Sequence, residues 1–236
     1  MNTFLFSEKM SSVQEKKFLR LFKFSLDLSS KVCRAFTKSN ILTNHNDSFS
    51  DYLKTHKHNI YHLYQVINPC CSCGVASALS PRRLLFKEQF DRLFSMKGMT
   101  NPGHVKKNKH NNNIVAQHCI CNVTVNSSCC LKDLDVTLLY TLIKNLEKSL
   151  QHQDGVSLTV IKDVRNRLAH AESTTDIKSH ELDTLWTKLE NSVLDLATRV
   201  SEDYRDIIED LISYLKVKEF DETIRQEINK EHDKVR

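Results

Sequence analysis

The 81 residues that follow Gly155 (156–236) contain neither glycine nor proline. A chain built from several strands needs tight reversals, and reversals consume residues that tolerate positive φ or fix φ for a turn. Across all 236 residues there are only 4 Gly and 3 Pro. The scarcity commits most of the chain to long helices, and an all-α fold is the expectation. A length of 236 residues suffices for one good-sized core, or for one core with a small satellite. With 40% hydrophobic and 27% charged residues, the composition is that of a globular protein.

Apolar spacing places the helices. Residues 12–37 carry Phe18, Leu21, Phe22, Leu28, Val32 and Phe36 at mostly three- and four-residue steps. The spacing predicts a second helix over 49–65 and a third over 82–94, just after Pro81. Residues 98–117 hold Gly, Pro and an Asn run and read as the longest loop, with Lys106, Lys107, Lys109 and His110 as its solvated cationic patch. Periodicity resumes over 131–150, and Gly155 marks a break before the next helix. From Ser179 the residues Leu182, Leu185, Leu189, Val193, Leu196, Val200, Tyr204, Ile207, Leu211 and Leu215 advance by threes and fours, which predicts one long helix. The organisation expected is a helical domain over 12–215, with a cysteine-rich insertion at 68–130, and a charged helix or linker over 216–236.

Eight cysteines, no run of ~20 apolar residues and no basic, apolar leader make a cytoplasmic protein with reduced thiols the expectation. Cys70-x-x-Cys73-Gly74 and Cys119-x-Cys121 form two close pairs, the arrangement a structural zinc site draws from two turns. Gly74 suits a knuckle, where backbone turns toward a thiolate. Cys70, Cys73, Cys119 and Cys121 are therefore candidate Zn2+ ligands, with Cys71 or His118 able to replace a neighbour. Cys33 lies in an amphipathic helix and reads as a packed apolar side chain.

The stretch "DVRNRLAH", residues 163–170, falls in a helix whose buried stripe is Ile161, Val164 and Leu168. Asn166 and His170 share the opposite face, whereas Arg165 lies roughly 140° around from His170. A regular helix does not bring those two side chains together.

Arg165-Asn166-x-x-x-His170 late in a helix resembles the R-x4–6-H motif of the HEPN superfamily. The segments "LDLSSKVCRAF", "HNIYHLYQVINPCCSCG", "HCICNVTV", "LKDLDVTLLYTLIKNL" and "VIKDVRNRLAHAES" are similar to the HEPN subgroup named after the DAZ-interacting zinc-finger ubiquitin ligase (DZIP-type), over roughly residues 20–200. The resemblance implies a small helical bundle within a larger protein of innate immunity or signalling, pairing two copies near the motif. It leaves two functions open. One is an RNA-binding or protein-interaction module; the other is a metal-independent endoribonuclease using Arg165, Asn166 and His170 across a homodimer interface. The net charge of +5 permits RNA as a partner without demanding it. No membrane partner is expected.

Overall fold

A computed structural model describes residues 2–73, 82–97, 100–108, 110 and 113–235. Pro81, Gly74, Gly98 and Lys109, named above, lie outside the described residues. The protein is 66% helix and 5% strand, an all-α fold. No helix among the described residues is long and apolar enough to cross a membrane. Contacts divide the chain into two compact units: residues 1–40 with 149–236, and residues 41–148. The inserted unit is thus wider than the 68–130 segment expected from cysteine content.

The first unit is a helical bundle. Helix α1 (Asn2–Lys23) runs into a five-residue π turn (Phe24–Leu28) and on into α2 (Ser29–Asn40). Serines stabilise the wide turn: the Ser25 hydroxyl donates to the Phe22 carbonyl at 2.7 Å and Ser29 to Phe24 at 3.0 Å. Widening the helix there seats Phe24 against Trp186, ring centroids 5.2 Å apart. Cys33 is buried as expected, and burial pushes its thiol up to about 12.

The remaining helices of this unit are α6 (His152–Ala169), α7 (Ser179–Thr198), α8 (Glu202–Val217) and α9 (Glu222–Val235). Phe18, Phe22, Val32, Phe36, Ile161, Val164, Leu168, Leu189, Val193 and Ile212 are its core, each no more than 2% exposed. Three expectations change here. Gly155 sits buried inside α6 rather than before it. The long helix predicted from Ser179 stops at Thr198 and restarts at Glu202, because the Ser201 hydroxyl accepts from the Tyr204 N–H and caps a new helix. The charged 216–236 segment folds back onto α1: Phe220, Ile228 and His232 are buried, and the His232 ring meets Phe18 and Phe22 edge-on.

The second unit is smaller in its elements. A 3-10 turn (Leu42–His45) leads to α3 (Phe49–Tyr64), capped by the Ser48 side chain. Helix α4 covers only Lys87–Leu93, shorter than predicted, because the Leu84 and Leu85 N–H groups both turn to the Leu63 carbonyl. The segment read as loop holds a 3-10 turn (Pro102–His104) and strand β2 (Lys106–Lys107), paired with β3 (Val115–Gln117). Strands β1 (Phe94–Ser95) and β4 (Thr124–Val125) form a second ladder. Helix α5 (Val136–Leu146) begins where Asp135 accepts from the Leu138 N–H, and buries Leu138, Leu139, Leu142 and Ile143.

Candidate metal centres and the polar end of α6

In the second unit the cysteines gather by a rule that spacing does not reveal. The Cys71 N–H donates to the His118 carbonyl at 2.7 Å and the His118 N–H to the Pro69 carbonyl at 2.9 Å. This bridge lays Cys70 beside His118, and the chain turns at Cys71, so the two adjacent cysteines part company there. Cys70 and Cys71 therefore face different neighbours.

Cys70 joins Cys73, His58 and His62, with all four ligand atoms within 4.8 Å of one another. His58 and His62 are four residues apart on α3 and so share a face. Cys73 Sγ lies 3.3 Å from His58 Nε2, 3.2 Å from His62 Nε2 and 3.8 Å from Cys70 Sγ. His62 Nδ1 donates to the Gln65 carbonyl at 2.8 Å, an outer bond that fixes the ring and leaves Nε2 for the sulfurs. Burial lowers the His62 pKa and favours the neutral ring a metal needs, and burial pushes the Cys70 thiol up to about 11.

Cys71 joins His104, Cys119 and Cys121 in a second group of the same compactness. Cys71 Sγ lies 3.8 Å from Cys121 Sγ, which is 3.2 Å from His104 Nδ1. The Ile120 N–H donates to Cys71 Sγ at 3.3 Å, a backbone contact of the kind that stabilises a thiolate. The neighbouring Cys119 and Cys71 thiols push Cys121 up to about 11, whereas the Cys121 backbone N–H is the first cause lowering Cys119.

The spacings fit tetrahedral coordination. Two sulfurs each about 2.3 Å from a tetrahedral Zn2+ stand about 3.8 Å apart. That is the separation of Cys70 from Cys73 and of Cys71 from Cys121. A four-ligand set of two Cys and two His, and another of three Cys and one His, could each close around a metal ion.

The four sequence-predicted ligands thus do not share one centre. Cys70 and Cys73 lie in one group, Cys119 and Cys121 in the other, and Cys71 is a member of the second. His118 enters neither group; its backbone builds the bridge between the segments. Sequence reading missed His58, His62 and His104. The i, i+4 histidine pair eight residues before a C-x-x-C was a readable signal. His104 had none, being one of two histidines in a Gly- and Asn-containing stretch, with no cysteine at ligand spacing beside it.

In the first unit, Arg165 and Asn166 are half-buried on the last turns of α6, and His170 is exposed at its C-cap. Arg165 Nη1 donates to Asn166 Oδ1 at 3.1 Å. The long guanidinium stem therefore swings the charge toward the face that Asn166 shares with His170. The carbonyls at this helix end are well occupied. Asn166 O accepts from the His170 N–H at 3.0 Å, and Leu168 O accepts from Ala171 at 3.2 Å and from buried His232 Nε2 at 3.1 Å. Arg167 binds Glu181 at 2.9 Å and ties the same turn to α7. The motif is a firm, water-facing corner rather than an enclosed pocket.

No protein-family model, curated protein or solved structure matches this chain.

Proposed function

We propose that the chain is a HEPN-like, non-enzymatic interaction module of a larger signalling protein, held in shape by two structural Zn2+ ions and self-associating through its first unit. The observation that carries this reading is the outer face of α8. Ile207, Leu211, Tyr214 and Val217 are 56, 43, 58 and 74% exposed, while Ile208 and Ile212 fill the inner face. Ile207, Leu211 and Tyr214 follow at four- and three-residue steps, so a single stripe of large apolar side chains faces water.

The occupant that fits the stripe is a second copy of the same helix. The first half of α8 is acidic, with exposed Glu202, Asp203, Asp206 and Asp210, and near its end stand Lys216, which also reaches Glu190, and Lys218, which lies over the Tyr214 ring. Two such helices packed antiparallel about a two-fold axis set each acidic half against the other's basic end. Sedimentation equilibrium at tens of micromolar tests this. The native chain should be a dimer and the Leu211→Glu variant a folded monomer. A concentration-independent monomer for the native chain would remove the proposal.

A second reading, metal-independent RNA cleavage, is favoured by the Arg165–Asn166 contact beside His170. The ribose 2′-OH would attack the adjacent 3′-phosphate, closing the 2′,3′-cyclic phosphate while the P–O5′ bond breaks and the 5′-oxygen leaves as a hydroxyl. His170 would exchange the proton, and Arg165 would stabilise the charge that develops. Labelled single-stranded RNA with zinc-loaded protein and no added metal should then give 2′,3′-cyclic phosphate ends, and His170→Ala should slow this by roughly 10²–10⁴-fold. Equal cleavage by both proteins would assign the activity to a contaminant.

A further inference from the structure

Away from both cysteine groups, the second unit gathers three further metal-ligand side chains from three separate segments. His45 ends the 3-10 turn before α3, His56 lies mid-α3, and Glu147 caps the end of α5. One ligand atom from each lies within 4.8 Å of the others. Tyr52, one turn before His56 and 1% exposed, stacks into the same group: its ring is 4.7 Å from His56 and 5.1 Å from His45.

Three buried polar atoms here lack a hydrogen bond of good geometry: His56 Nε2, Glu147 Oε1 and the Tyr52 hydroxyl, whose neighbour is Glu147. Leaving such atoms unsatisfied is costly, and native proteins rarely do so without a water or an ion to answer them. His56 Nε2 and Glu147 Oε1 stand 3.6 Å apart, too far for a good hydrogen bond. Two nitrogen or oxygen ligands each about 2.1 Å from a tetrahedral metal are separated by about 3.4 Å. The gap is close to that of two ligands on one ion.

We infer that His45, His56 and Glu147 form a third, sulfur-free binding site for a divalent transition-metal cation. Two imidazoles and one carboxylate are a ligand set that leaves a coordination position open, unlike the four-ligand cysteine groups. A water fills that position, and the Tyr52 hydroxyl, beside Glu147, supports the carboxylate ligand. The dication also neutralises a carboxylate whose side chain is only 13% exposed. The ion joins the turn before α3 to the end of α5, so it fastens the two ends of the second unit's chain.

The site is separable from the cysteine groups by its spectrum. Protein cleared of weakly held metal with a mild chelator, so that zinc remains only in the cysteine groups, and then dialysed to equilibrium against excess Co2+ should take up one further equivalent, with d–d absorption and no sulfur-to-cobalt charge-transfer band. His56→Asn and Glu147→Gln should each lose that equivalent while keeping both zinc ions, which also shows that they fold. Cys73→Ser and Cys121→Ser should keep it, so failure at the cysteine groups is distinguishable from failure here. Folded native protein that takes up no cobalt would overturn the site and leave the three atoms to water. So would an equivalent that persists in both variants.

Discussion

His62 illustrates how much one side chain can decide. Its Nδ1 is committed to the Gln65 carbonyl, so the remaining nitrogen faces Cys73, and the outer bond selects the ligand atom before any metal arrives. Because the cysteines divide into two groups, damage should be local. If each cysteine group holds one Zn2+, Cys73→Ser and Cys121→Ser should each remove about one zinc ion from the purified protein, rather than abolishing its zinc content. Atomic absorption on folded protein checks this, and loss of the same amount of zinc in either single variant and in the double variant would restore the one-centre arrangement. Zinc uptake near neutral pH should also release protons, because thiols such as Cys70 and Cys121, pushed up to about 11, are protonated until the cation displaces the proton. The C-x-x-C and C-x-C pairs were legible in the sequence as candidate ligands, and each pair falls in a group that could hold a metal ion. Their partition was not, since it depends on the bridge at His118 and the turn at Cys71, where the two adjacent cysteines part company.

Among the elements, periodicity exposed the helices and concealed their ends. Phe18, Leu21 and Phe22, the stripe of α6 and the whole of α3 stand where their spacing puts them, because a buried face must repeat every three or four residues. The break between α7 and α8 was invisible, since Val200 and Tyr204 continue the pattern across it. What ends α7 is a competition at Ser201, whose hydroxyl serves the Tyr204 N–H better than a continued helix would serve Ser201. Ser201→Ala should therefore cost about 1 kcal/mol in chemical denaturation, whereas Ser201→Asp, which keeps the cap, should cost little. An unchanged midpoint for Ser201→Ala would mean that packing alone sets the corner. Helix α9 was obscure for the opposite reason. Its sequence is rich in charge, and among its described side chains the buried ones, Ile228 and His232, are too few to make a periodic signal. Yet His232 reaches the Leu168 carbonyl at the end of the motif helix, so a segment without readable pattern helps to hold the one corner that the sequence singled out.

Taken whole, the protein is one chain with two separate sources of stability. Residues 1–40 and 149–236 enclose an apolar core of helices, which needs nothing but burial to stand. Residues 41–148 bury an apolar core of their own on α3 and α5, but the segments that bring the cysteines together are two- and three-residue strands and small turns, and elements of that size do not hold their geometry unaided. For such a unit the free energy of metal binding is free energy of folding. Removal of metal should therefore act on one unit. The single tryptophan, Trp186, reports the first: it packs against Phe24, and its Nε1 donates to Glu190 at 3.1 Å. Tyr52, Tyr61 and Tyr64 report the second, since all three lie on α3. A strong chelator should lower far-ultraviolet ellipticity by a minor fraction and weaken the tyrosine near-ultraviolet signal, while Trp186 emission stays at its native wavelength. Thermal unfolding of the chelated protein, followed at Trp186, should remain a cooperative transition. Loss of the tryptophan and tyrosine signals at the same chelator concentration would show instead that the two units fold as one cooperative body, with the metal centres stabilising both.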